Sequence, residues 1–284
     1  MLRLSVVCSR GDIREDLKIA VAYYVVAYAF VYGMTFLIHM YTADTIADKP
    51  AFVFLINILL LFAFLLVAYV FHRRMDGRAF REFIGFKREG LLESLIATAA
   101  SFTALILVLA ILAYLILGVK PLAKFIENAY TYRSTPWFDR VDPKLLPVAA
   151  CMLWFISGTF HFALMQAFPY EVLSGRPKKY VIPLVSALSI LYYNLPLLTG
   201  EWKLDDIVFL GVICPLIYYL YRNSLGIILN YVFFYEMPVL VAFLKGWGER
   251  AFWILFVGRL IWGLTCLSVF VINRFKIKHA FSYC

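Results

Sequence analysis

Inside otherwise apolar runs of this chain stand His39, Asn57, His161, Gln166, Asn194, Asn230, Glu236, Arg259 and Asn273, with Glu171 and Arg176 just past the end of one run. Each type brings a chemistry. The His161 imidazole and the Glu171 carboxylate can take a proton, and so can activate a water. Gln166, Asn194 and Asn230 can orient a substrate by hydrogen bonding, but an amide is no base. His161, Gln166 and Glu171 follow one another toward the same end of one run. A catalytic zinc takes three His, Asp, Glu or Cys ligands. One histidine, one glutamine and two asparagines fall short of that set, so no metal and no other cofactor is expected. For each of these polar residues the competing role is a hydrogen bond to a neighbouring helix.

The elements that hold these residues are long apolar helices. The chain has 284 residues, 63% hydrophobic and only 16% charged, with a mean hydropathy of +0.82. Several apolar runs exceed the ~18 residues that mark a membrane helix. The fold class expected is an all-α, polytopic membrane helical bundle, a single integral membrane domain over 1–284. Its spans fall at 18–40, 51–71, 91–119, 145–168, 180–199, 205–221, 225–244 and 250–273. Cys151, Cys214 and Cys266 lie inside these runs and read as small apolar residues, not as disulfide or zinc partners.

Charge sets the orientation. One side holds the N-terminus, the 72–90 loop, 169–179, the turn at Arg222 and the C-terminus, with 17 Lys/Arg against 8 Asp/Glu. The other side, which includes the long external loop 120–144, has 9 of each sign. The positive-inside rule then puts both termini in the cytoplasm of a cell-membrane protein. The net charge of +9 is thereby a topology signal, met by membrane lipids, and nucleic acid is not an expected partner. The basic loop 72–90 alternates Arg and Lys with Phe80, Phe83, Ile84 and Phe86, the pattern of an amphipathic segment lying on the inner leaflet. Glu236 and Arg259 fall at equal depth on sequential antiparallel spans, ~12–14 Å below the outer boundary. A structural ion pair is the expected outcome. His161 and Asn230 sit roughly 8–11 Å from the cytoplasmic ends of their helices, which allows a polar pocket between spans four, five and seven.

Four stretches resemble the CPBP family of CAAX prenyl proteases and bacteriocin-processing membrane enzymes. FREFIGFKREGLLESLIATAA resembles the family's basic entry into a long apolar helix. The segment with Glu171 and Arg176 resembles EExxxR. LVSALSILYYNLPLL resembles the span carrying FxxxH. YYLYRNSLGIILNYVFF resembles the turn and HxxxN span that follow. The resemblance covers most of 75–245 and implies an eight-helix intramembrane endopeptidase in which carboxylate and imidazole, with a divalent metal, activate water. The pattern departs at the reacting groups. Asn194 and Asn230 stand at the two histidine positions, Ile190 at the phenylalanine and Phe234 at the asparagine. For EExxxR, one register takes Glu171 and Arg176, with Val172 for the second Glu. The other puts Gln166 and Ala167 at the acidic pair and Glu171 at the arginine.

Three functions follow. The first is a catalytically impaired CPBP-like protein that binds or scaffolds a lipidated or membrane-embedded peptide or protein. The second is an active membrane endopeptidase with a rearranged site built on Glu171, His161 and the two asparagines. The third is a small-molecule or ion transporter, for which no inverted repeat is visible.

Overall fold

The computed structural model describes residues 18–27, 29, 33, 50–73, 79–118, 146–173, 178–194, 208–232 and 248–277. All regular structure among them is helical. In chain order the helices are α1 (Lys18–Ala27), α2 (Pro50–His72), α3 (Phe80–Phe83), α4 (Leu91–Leu117), α5 (Leu146–Gly158), α6 (Phe168–Val172), α7 (Lys178–Asn194), α8 (Cys214–Tyr221), α9 (224–232) and α10 (Gly248–Ile277). The all-α expectation holds.

α4 is the central rod. It runs 27 residues without Gly or Pro, about 40 Å at 1.5 Å per residue. Its segment Leu91–Ile116 is, among the described residues, the one helix long and apolar enough by length and composition to cross a membrane. Only 28% of its most apolar 18-residue window is buried in protein, whereas a core helix of a soluble domain would be mostly covered. One side of α4 packs on α10 through Ala99, Ala100 and Cys266, where Gly263 faces Thr103. Near its start it meets α9 at Gly226. A Cβ there would lie 2.8 Å from Leu91 O, Leu95 N and Ser94 Cβ, so only glycine lets the two backbones come this close. The main core joins α1, α2, α3, α6, α8 and α9 through Tyr23, Phe64, Phe83, Phe168, Tyr218 and Ile228.

The fourth span expected over 145–168 is not one regular helix. α5 widens into a π-helical stretch, Thr159–Ala167, before α6 resumes α geometry. A second π stretch, Phe209–Ile213, precedes α8. Proline explains both. In each stretch the ladder bonds residue i to i+5, as in Phe168 N–H to Ala163 O and Cys214 N–H to Phe209 O. The next acceptors, Leu164 O and Leu210 O, would need the N–H of residues 169 and 215. Both are proline and have none. Side chains from other helices take over. The Tyr23 hydroxyl donates to Leu164 O at 2.9 Å, and Gln166 Nε2 donates to Leu210 O at 2.7 Å. Met165 O, which Pro169 would leave bare in α register, accepts from the Tyr24 hydroxyl at 2.8 Å. These carbonyls belong to buried residues, where an unmet acceptor costs about 1–3 kcal/mol. The tyrosines of α1 thus hold span four at its irregular turn.

Candidate functional site

The turn Arg222-Asn223-Ser224, between α8 and α9, gathers the polar groups at one end of the bundle. The reason starts locally. α8 ends on Arg222 in the left-handed region, φ 52°, the one positive-φ residue other than glycine among those described. Asn223 then caps α9, its Oδ1 accepting from Gly226 N–H at 3.0 Å, as asparagine does at helix starts. The same side chain donates from Nδ2 to Lys87 O at 2.6 Å and Glu89 O at 3.0 Å. Asn223 O accepts from the Ser94 hydroxyl at 2.8 Å. Ser224 N–H donates to Gly85 O at 3.1 Å, and its hydroxyl donates to Ile84 O. Asn223 and Ser224 are fully buried. Gly85, at φ +73°, makes the turn possible, because a Cβ there would sit 2.7 Å from the Tyr218 ring. The turn is a clasp on the segment 84–94.

That clasp changes how the basic loop reads. The sequence suggests an amphipathic segment lying on the inner leaflet. Within the described part, Phe83 and Ile84 are buried in the main core. His72 and Phe83 rings meet at 4.6 Å, and the Phe83 and Phe168 rings lie 6.1 Å apart. Fixing Gly85, Lys87 and Glu89 to a buried turn accompanies the turn of Phe83 and Ile84 toward the bundle.

Glu171 joins the same cluster from α6. Its Oε1 accepts from Arg222 Nη1 at 2.7 Å and from the Tyr218 hydroxyl at 2.9 Å. The guanidinium lies 4.3 Å over the Tyr170 ring, in cation–π range. Burial on its own would lower the Arg222 pKa. The Glu171 charge, with the Tyr170 and Tyr218 hydroxyls, outweighs it and holds the guanidinium above its ordinary value. Burial pushes Tyr170 up to about 12, against the pull of Arg222. Glu171 therefore bonds an arginine 51 residues away. Arg176, the arginine of the EExxxR-like register, lies outside the described residues.

The other expected site residues have separate surroundings. Asn230 is buried, and its Nδ2 donates to Leu95 O on α4 and to Gly226 O one turn back at 3.3 Å. Gln166 serves the second π stretch, as described above. His161, in the first π stretch, lies among the rings of Phe160, Phe162 and Tyr231 at 5.6–6.4 Å. Arg259 is buried on α10. Its expected partner Glu236 lies outside the described residues, as do His39 and the external loop 120–144. Asn57, Asn194 and Asn273 sit on described helices, with their backbones alone placed. Among the described residues no three His, Cys, Asp or Glu side chains group as metal ligands.

The arrangement can hold helices in register. The carboxylate nearest the turn is bonded to a guanidinium and a phenol, and the amide at the family's histidine position binds backbone. Sequence reasoning missed Tyr23, Tyr24 and Tyr218 as bonding residues. Pro169 and Pro215 inside apolar runs were the available signal, since each demands a substitute donor. Compared with family models, curated proteins and solved structures, the chain matches none.

Proposed function

We propose that the protein is an eight-span membrane bundle of CPBP-like design, with both termini cytoplasmic. It binds or scaffolds a lipidated or membrane-embedded peptide and does not cut it. The observation that carries this reading is the clasp. Charge counting assigns 72–90, 169–179 and Arg222 to one membrane side. Residues from all three, Lys87, Glu171 and Arg222 among them, meet in one hydrogen-bonded cluster. Exposed apolar side chains along α2, α4 and α10, such as Phe62, Ile111, Leu115 and Ile261, exceed what a soluble monomer leaves uncovered, which supports contact with lipid. At the family's reacting positions the groups supply hydrogen bonds to structure. Asn230 bridges α9 to α4, and Glu171 neutralises Arg222. Neither role leaves a base aimed at a substrate.

The test is direct. Purified protein is incubated with a farnesylated CaaX peptide and with a bacteriocin-type leader peptide, and products are read by mass spectrometry. The expected result is binding without cleavage above a no-protein control. Cleavage that disappears in Glu171→Gln or His161→Ala would establish the rearranged endopeptidase and overturn the proposal.

A further inference from the structure

The clasp has an outward side. Beyond it opens a cleft of about 610 Å³, within the range of small-ligand sites. Three cations, Arg81, Lys87 and Arg88, line it, with the carboxylates of Glu82 and Glu89. Its apolar wall is Phe86, Leu91 and Leu225. Leu91 opens α4 and Leu225 lies in the first turn of α9, so the wall continues into helices whose next turns belong to the apolar bundle. Leu92, beside it, is 62% exposed.

Two properties separate this cleft from a solvated charge run. First, the loop is held. Asn223 bonds the carbonyls of Lys87 and Glu89, which flank Arg88, and Ser224 bonds those of Ile84 and Gly85. The backbone that carries the cations is therefore fixed before any ligand arrives, which lowers the entropy lost on binding. Second, charge and apolar surface are adjacent. A soluble phosphate ester would use only the cations. A ligand with a phosphate at one end and hydrocarbon at the other would use both. The two carboxylates restrict it further: with three cations against two anions in the lining, the cleft suits one negative charge and disfavours a polyanionic headgroup.

We propose that the cleft binds the phosphodiester headgroup of a membrane phospholipid. Lys87 and Arg88 take the phosphate oxygens, and the start of an acyl chain lies on Leu91 and Leu225. Charge-assisted bonds of this kind from lysine and arginine are the strong class. This rests on the reading that α4 lies in a membrane with the 79–90 segment at its surface.

The full chain in nonionic detergent is titrated with dioleoyl phosphatidylglycerol, with diacylglycerol, which has the same tails and no phosphate, and with inorganic phosphate. Bound molecules are counted by native mass spectrometry. One saturable phosphatidylglycerol per chain is expected, with diacylglycerol and phosphate far weaker. Lys87→Ala/Arg88→Ala should weaken the lipid about tenfold or more, as expected for losing charge-assisted bonds, with an unchanged melting temperature. If the double variant fails to fold, Arg88→Gln alone, at an exposed side chain, makes the same comparison with a smaller loss. Unchanged lipid binding in the folded variants overturns the proposal. So does inorganic phosphate binding as tightly as the lipid, which would assign the cleft to a soluble phosphate. An alkaline wash of membranes separates the two readings. Protein that stays in the pellet but binds lipid without regard to Arg88 defeats the cleft alone, and protein released into the supernatant defeats the membrane reading.

Discussion

Glu171 and Arg222 show how unequal two halves of one ion pair can be. Glu171 is 3% exposed and Arg222 33%. Removing the carboxylate leaves a guanidinium that water can still reach. Removing the guanidinium leaves a buried carboxylate beside the Tyr218 hydroxyl. Arg222→Ala should therefore cost more than Glu171→Gln, about 2–3 kcal/mol against about 1. Thermal melts in one detergent check the order, and an equal or reversed order would mean that burial of the carboxylate does not set the cost of breaking the pair. At this scale the sequence was half legible. It marked Asn230 as a residue needing a partner, because an amide group is costly in apolar surroundings. It did not disclose that Leu95 O would be that partner or that Arg222 would meet Glu171, because both lie far along the chain.

Among the elements, the two π stretches have one cause and one remedy. A proline lacks the N–H that the preceding ladder needs, and a side chain on another helix supplies it. The dependence is testable as a coupling. Tyr23→Phe removes the donor to Leu164 O and should cost about 1 kcal/mol in the native background. In Pro169→Ala the restored N–H can serve the same carbonyl, so the cost of Tyr23→Phe should fall to near zero. A double-mutant cycle by melting measures the difference, and additivity would refute the link. The clasp separates in a similar way. Asn223→Asp keeps the acceptor that caps α9 but loses both donors to Lys87 O and Glu89 O. Hydrogen exchange should then accelerate over 85–90 while α9 stays protected, whereas Asn223→Ala should loosen both. The helices themselves were legible from runs of apolar residues. The π turns were not, because their stability depends on Tyr23, Tyr24 and Gln166 arriving from elsewhere.

For the whole molecule, the clasp brings Lys87 and Asn223 together, and the proposed eight-span arrangement assigns both to one face, which the positive-inside rule takes as cytoplasmic. In a cysteine-free background, Arg88→Cys should resist an impermeant thiol reagent on intact cells and react once they are opened. Tyr132→Cys, in the external loop, should react from outside. Labelling of both from the same side would break the eight-span arrangement.

The separations spanned by the clasp bear on how the chain is made. Asn223 and Lys87 are 136 residues apart. At about 5–20 residues per second, the ribosome takes roughly 7–27 s to travel from one to the other. Throughout that interval the loop has been synthesised but its fastener has not, so the carbonyls of Ile84, Lys87 and Glu89 lack the donors that Asn223 and Ser224 later bring. A nascent chain stalled before Asn223 would leave them open indefinitely. The clasp therefore doubles as a completion mark: it closes only on a chain extended through α9, and a quality-control protease that reads loose loops would find its target in every shorter product.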